Sequence, residues 1–293
     1  MRSAKHILLY VSILFTFTSC IAENRDDCPP PSGLVIDVVD KNYDNIKDIE
    51  GLAPISENRP IQSYVASIYA WIQKTGRDSY EAVPLTVKAN ESSIRIPLDA
   101  YSNGDYTLYT TGNYPISAQT DFLENISFDL HPNGAEGIDL YIGHESFSIP
   151  LYSNTAVDLV RAKGKLLLRF VDFPINVYKI EATVSGIYSS VNKSGIYSGA
   201  STVKKTFMVG QPDDGIYYSL LLAPSSHMAT TSLTLNLYDD ADRLITTISD
   251  IDISINRNHL TVVQERYVSD EDKWEASLFV DGAWKVINNL IVQ

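Results

Sequence analysis

Cysteine is nearly absent. Of 293 residues only Cys20 and Cys28 carry a thiol. Two sulfurs cannot build a disulfide framework or a multi-cysteine zinc site. Basic residues are scarce too, with 23 Lys and Arg against 36 Asp and Glu and a formal charge of −13. That balance excludes nucleic acid as a main partner, because phosphate binding needs clustered Lys and Arg. Long hydrophobic runs are missing. The mostly apolar stretch Ile7 to Phe17 falls short of the about 20 residues that a membrane-crossing helix requires. At 44 % apolar residues the chain is nevertheless too hydrophobic for disorder, and its length suits one large or two ordinary domains.

Catalytic signatures are lacking as well. The histidines are His6, His131, His144, His227 and His259. None of the later four pairs with another at the i, i+4 spacing of a helical metal site, and no HExxH occurs. Ser198-Gly199 lacks the frame of a GxSxG nucleophile elbow. Carboxylates are abundant, but glycosidase chemistry needs a pair set across a cleft, and no such pair is placed by this sequence. No enzyme activity and no cofactor are implied.

Two near-motifs resolve to ordinary structure. Asp40, Asn42, Asp44 and Asp48 match positions 1, 3, 5 and 9 of a calcium loop. Asn45 stands where Gly is needed and Gly51 where the closing Glu should be, so the stretch reads as a solvated acidic loop. Gly-Ile-Tyr recurs at 186–188, 195–197 and 215–217. The first two copies flank Asn192-Lys193 and read as hairpin strands around that turn. An exposed Tyr/Ser surface for a partner or glycan is the other reading.

The N-terminus has a clear order. Arg2 and Lys5 precede the apolar run, and Thr18-Ser19-Cys20 ends it. Basic, apolar, then small residues make a secretory signal. Ending on Cys resembles a bacterial lipobox, in which the Cys is acylated, with palmitate for example, and becomes the new N-terminus. Residues 1–19 are thus the expected signal peptide and Cys20 the expected lipid attachment point. Loss of Arg2 and Lys5 leaves 21 bases against 36 acids, a mature charge of −15. The acidic stretch Glu23 to Asp27 resembles a surface-export signal of Bacteroidetes lipoproteins. Cys28-Pro29-Pro30-Pro31-Ser32-Gly33 then gives a stiff spacer, so residues 20–33 form a lipidated lead-in.

Beyond residue 33 no segment sustains a 3.6-residue apolar period. Many alternate with period two, which marks half-buried strands. Examples are Ile94 to Leu98, Tyr178 to Val184, Leu233 to Leu237 and Ile251 to Ile255. Further strands are expected at Leu34–Val39, Tyr64–Ile72, Tyr106–Thr110, Asp139–Ile142, Lys165–Val171, Thr206–Val209, Tyr217–Leu222, Leu244–Ile248 and Leu260–Val263. Asn103-Gly104, Asn133-Gly134 and Asp281-Gly282 carry hairpin-turn chemistry, and Asp239 to Asp242 divides two strands. A short helix is expected around Ser117–Glu124. The pattern is all-β, in two sandwiches covering 34–155 and 156–293.

Cys20, Cys28-Pro29 and Leu34–Val39, in that order, resemble the start of Bacteroidales fimbrial anchor lipoproteins, the FimB-like minor subunits. Val157-Asp158-Leu159-Val160-Arg161-Ala162-Lys163 is similar to the opening of that family's second domain. Ile255-Asn256-Arg257-Asn258-His259-Leu260-Thr261-Val262 resembles one of its late strands. The resemblance implies two tandem transthyretin-like β-sandwiches behind the signal peptide and spacer. It also implies a protein on the outer membrane surface that tethers a fimbria and terminates its assembly at the base. Its partners would be fimbrial stalk and accessory subunits, and the membrane itself through lipid on Cys20. Stalk subunits of this kind lose their first strand to an Arg-directed protease and accept a neighbour's strand by β-augmentation. An anchor would keep Leu34–Val39 and offer a strand of its own, for which the candidate is Trp284–Gln293 with Val286, Ile287, Leu290, Ile291 and Val292. Arg59, Arg77 and Arg161 are open as cut sites, Arg59 the least attractive because Pro60 follows it and stiffens the backbone there. Two other roles stay open: a stalk or tip subunit assembled by donor-strand exchange, and a surface glycan-binding lipoprotein using Trp71, Trp274 or Trp284.

Overall fold

The computed structural model describes residues 32–85, 87–114, 127–271 and 273–291. Cys20, Cys28, Val292 and the helix expected over Ser117–Glu124 lie outside these residues. The chain is all-β, as its alternation requires. Its first half holds β1 (Gly33–Val38), β2 (Ile68–Lys74), β3 (Tyr80–Ala82), β4 (Ser93–Pro97), β5 (Gly104–Gly112), β6 (Ser127–Asp129), β7 (Tyr141–Ile149) and β8 (Thr155–Arg161). All but β6 join one seven-stranded sheet in the order β3-β2-β5-β7-β8-β1-β4. The link between β7 and β8 is only Tyr141↔Arg161 and Ile142↔Val160. The sheet therefore turns a corner there and folds over itself as a sandwich. The enclosed core takes Leu34, Ile36, Val157 and Leu159 from one layer and Ile72, Leu108 and Phe147 from the other.

The second half holds β9 (Gly164–Val171), β10 (Lys179–Ile187), β11 (Ser190–Asn192), β12 (Tyr197–Ser198), β13 (Ser201–Met208), β14 (Tyr218–Leu222), β15 (Ser232–Tyr238), β16 (Leu244–Asp252), β17 (Leu260–Val268), β18 (Lys273–Val280) and β19 (Ala283–Ile291). A four-stranded sheet, β13-β10-β15-β16, faces a five-stranded one, β14-β9-β17-β18-β19. Alternating residues of both fill the second core, among them Ile180, Ala182, Val184, Leu233, Leu235 and Leu237 against Leu166, Leu168, Val263 and Trp274. The halves echo one another. Each first strand pairs in parallel with a late strand of its own half, β1 with β8 and β9 with β17. Each also pairs antiparallel on its other side, with β4 and with β14.

The changeover between sheets falls later than the 155/156 boundary expected from sequence. β8 begins at Thr155 and belongs to the first sheet, sandwiched between β7 and β1. Ser153-Asn154-Thr155 interrupts the alternation because it connects β7 to β8 within one sandwich. From Gly33 onward the chain is one compact unit. Two smaller cores draw on both halves. One joins Phe128, Leu130, Leu140 and Ile142 to Val191 and Ala223. The other joins Ile49 to Leu167, Tyr217, Leu260 and Val262. A three-stranded sheet, β12-β11-β6, is also shared between the halves.

Several local expectations shift. The strand read from Tyr64 starts at Ile68, since residues Ile61–Ser63 form a 3-10 turn. Asn103-Gly104 and Asn133-Gly134 are not hairpin turns. β4 pairs with β1 and not with β5, and Asn133-Gly134 lies in the 3-10 turn Pro132–Gly134. Asp281-Gly282 does turn a hairpin, β18 to β19, with φ of 50° and 79°. The Asn192-Lys193 segment turns β11 into β12, with Asn192 Oδ1 accepting from the Ser194 and Ile196 amides.

Candidate functional site

The first strand is the structural counterpart of the fimbrial reading. β1 is hydrogen bonded on both edges, to β4 and to β8. Its Leu34, Ile36 and Val38 are fully buried. Burial of each such side chain contributes about 1.5–3 kcal/mol. β1 is thus an integral strand of the first sandwich.

The acidic loop that follows β1 is engaged rather than solvated. The Arg161 amide donates to Asp40 Oδ2 at 2.7 Å, and Arg257 Nη1 donates to the same oxygen at 2.9 Å. Asn258 Nδ2 donates to Asp44 Oδ1 at 2.8 Å and to the Asn42 carbonyl at 3.1 Å. Asn45 exchanges two bonds with the Leu260 backbone, at 2.8 and 2.9 Å. The Ile55 amide donates to Asn42 Oδ1 at 2.8 Å, so three of the four would-be calcium ligands are held by cationic or amide donors. Among the described residues no group of three or more His, Cys, Asp or Glu is placed to hold a metal.

Arg161 sits at the centre of this clamp. Its guanidinium donates to Asp139 Oδ2 at 3.1 Å, to Asn258 Oδ1 at 2.6 Å and to the Tyr141 hydroxyl. It also lies over the Tyr43 ring, 4.2 Å from its centroid. Burial pushes both phenols, Tyr43 and Tyr141, well above their usual range, so they stay protonated. Burial likewise raises Asp139, opposed by the Arg161 charge. As a protease site Arg161 is withdrawn: it is only 7 % exposed and lies within β8. Arg59 and Arg77 are exposed.

A second clamp closes the same junction from the 130–137 loop. His131 Nε2 accepts from the Ala223 amide at 2.9 Å, while Nδ1 faces the Ala135 carbonyl at 3.1 Å. This pattern fixes a neutral ring protonated at Nδ1. Burial, assisted by the Lys163 charge, pulls His131 down to about 4. Lys163 is fully buried and donates to the Leu130 and Glu136 carbonyls. Burial lowers it to about 8. Glu136 accepts from the Leu221 amide at 2.6 Å and pairs with Lys205 at 2.9 Å.

The expected donor segment forms β19, antiparallel to β18 with a register shift opposite Ala276/Ser277. Val286 is exposed, Ile287 packs against the second core, and Leu290 and Ile291 pair with Trp274 and Lys273. Of the three tryptophans, Trp71 and Trp274 are core residues at 2 % and 3 % exposure, and Trp284 is 39 % exposed. A glycan role for Trp71 or Trp274 is thereby removed. Sequence reasoning missed the clamp residues Tyr43, His131 and Asp139. It had singled out both segments that complete the clamp, Val157–Lys163 and Ile255–Val262, but only through resemblance.

Comparison with known proteins adds the fold's relatives. No protein-family model matches the chain, and no curated protein does. A solved structure of a proposed adhesin from Bacteroides thetaiotaomicron aligns over 90 % of this chain and 100 % of its own, at 13 % identity and a TM-score of 0.52. A proposed polysaccharide-binding protein from the same organism aligns over 88 % and 98 %, at 12 % identity and a TM-score of 0.53. The chain has the fold of these Bacteroides proteins. The fimbrial anchor protein Mfa2 from Porphyromonas gingivalis aligns over 87 % and 98 %, at 13 % identity and a TM-score of 0.46. The first two alignments run nearly end to end, so the shared fold spans both sandwiches.

Proposed function

We propose that the chain is a surface subunit that tethers a fimbria to the outer membrane through lipid on Cys20 and ends the filament at its base. The observation that carries this reading is the seating of β1. A subunit that accepts a neighbour's strand needs an open groove with unpaired backbone and exposed apolar side chains. Here that place is filled by the chain's own strand, bonded on both edges and buried at Leu34, Ile36 and Val38. Such a body gives a strand or a surface and receives none, which is the logic of a terminal subunit. The lead-in of residues 20–33 joins the expected lipid position to β1 in sequence. β19 is an edge strand with one side paired to β18, and it is the segment on offer to the stalk. The fold shared with a proposed adhesin fits a place on the cell surface.

The test is Cys20→Ala in cells that display the filament. Loss of the protein from the membrane fraction, with filaments shed into the medium, is expected. Filaments that stay attached to the variant would overturn the reading. The stalk alternative is separated by the N-terminus of the surface-exposed protein. Mass spectrometry giving acylated Cys20 fits an anchor, while a new N-terminus after Arg59 or Arg77 means β1 has been cut away, as in a stalk subunit.

A further inference from the structure

Three segments far apart in sequence meet at one open cleft of about 440 Å³. Its walls are the loop carrying Asp48, the turn carrying Ser254, Asn256 and His259, and the β18–β19 hairpin with Phe279 and Asp281. A smaller hollow adjoins it, sharing Asp48 and Phe279 and adding Tyr217 and Trp284. The main cleft lies within the roughly 300–1,000 Å³ range of small-ligand sites.

We propose that this continuous groove binds a neutral saccharide chain. Its chemistry is mixed in the way sugars require. Trp284 is the one tryptophan outside the cores, at 39 % exposure. Phe279 props its indole edge-on, at 5.2 Å between centroids and 61° between planes. The ring is thus braced on one side while it lines the smaller hollow, where an apolar ring surface can cover a pyranose. The adjoining main cleft is lined by carboxylates, an amide, an imidazole and a hydroxyl from Asp48, Asp281, Asn256, His259 and Ser254. No other described residue engages these side chains, so they are free to exchange hydrogen bonds with sugar hydroxyls. Asn45 and Thr261, by contrast, are tied to the Leu260 backbone and the Ser254 carbonyl and serve as wall. The positive-φ turn at Asp281-Gly282 fixes the rim. Three carboxylates line the groove, Asp48, Glu50 and Asp281, and on a chain of net charge −13 they select against acidic polymers. No residue of β1 lines the groove, so it serves a binding role beyond anchoring.

Affinity electrophoresis of the purified protein in gels containing starch, mannan, xylan or polygalacturonate tests the proposal. At least one of the three neutral polymers is expected to retard the protein, and polygalacturonate is not. Trp284→Ala should weaken that retardation on the order of tenfold. Asn256→Ala should weaken it as well, with thermal melting unchanged in both. Retardation by none of the neutral polymers would overturn the proposal. Equal retardation of Trp284→Ala would do so too, as would loss of binding traced to an unfolded variant while Asn256→Ala binds like the parent. Self-association of the protein through this face, seen by sedimentation and abolished in Trp284→Ala, would reassign the groove to a second copy of the chain.

Discussion

The guanidinium of Arg161 donates to the side-chain oxygen of Asn258 at 2.6 Å, across 97 positions of sequence. Asn258 in turn donates to Asp44 at 2.8 Å. One short chain of hydrogen bonds thus ties the loop behind β1, the end of β8 and the approach to β17. The halves of the molecule are fastened by polar groups that each need the others.

Arg161→Ala should be strongly destabilising. It leaves the Asp139 carboxylate without its cation in a buried setting and removes a bond from Asn258. Loss of one partner of a buried pair typically removes about 3–5 kcal/mol. For a chain of this size that lowers Tm by roughly 6–15 °C. Calorimetry reads the shift. Adding Asp139→Asn should restore part of it, because the unpaired charge is then gone. A variant melting like the parent would show the clamp to be idle.

His131 sets a stability slope on the acid side. Its folded pKa is about 4, depressed from 6.5 by burial. The unfolded chain therefore binds the proton first. Stability from the neutral ring is complete above about pH 6.5 and is lost as pH falls toward 4. His131→Ala strands the Ala223 amide and should remove about 1–3 kcal/mol at pH 7. Denaturant melts at pH 7 and pH 5 should show a smaller pH difference for this variant than for the parent.

Glu265 works in the opposite direction. It lies on β17 between Phe170 and Ala276 on the neighbouring strands, fully buried, and neither carboxylate oxygen has a partner. Burial alone raises its pKa well above 4.5. The native state thus holds a proton that the unfolded chain releases. Stability from this site is greatest below about pH 4.5 and declines as pH rises through the folded value. Glu265→Leu should raise stability at pH 7 by about 1–3 kcal/mol and flatten the decline. Chemical denaturation across pH 5 to 8 checks both.

Much of the fold was legible because half-buried strands alternate, and those in the sandwich cores do so cleanly. Leu233, Leu235 and Leu237 announced β15, and all three are fully buried. The errors have physical sources. Leu244–Ile248 and Ile251–Ile255 read as two strands but belong mainly to one, β16. A register shift opposite Leu233/Leu235, with Asp250 at φ 58°, breaks the period of two without ending the strand. The clamp was illegible for a different reason. Asp40 and Arg257 are 217 positions apart, and nothing local in either segment signals the other. Polar residues at the strand ends, Arg161 and Asn258, looked like ordinary surface chemistry until the topology brought them indoors.

Limited digestion with an Arg-specific protease should separate the three candidate arginines. Arg77 is exposed and should be cut; Arg59 is exposed too, but Pro60 follows it and makes that bond a poor substrate, and Arg161 should resist until the protein unfolds. A nick after Arg77 frees β1 and β2 covalently but not physically. The fragment carrying Leu34, Ile36 and Val38 should co-elute with the body in size exclusion and leave it only in denaturant. Release of the fragment under native conditions would show that β1 is weakly held.

The parallel pairing of β1 with β8 gives the molecule a preferred direction of mechanical strength. In the proposed anchor a membrane tether would pull at the start of β1, while load from a filament held by the second half would leave through the end of β8 into β9. Opposed forces on the start of one strand and the end of its parallel neighbour slide the two past each other. Their hydrogen bonds, together with those to β4, then bear the strain as a group instead of opening one at a time. The same pull applied across the strands would unzip them singly, so the order in which this chain visits its sheet suits it to tension applied between the start of β1 and the end of β8.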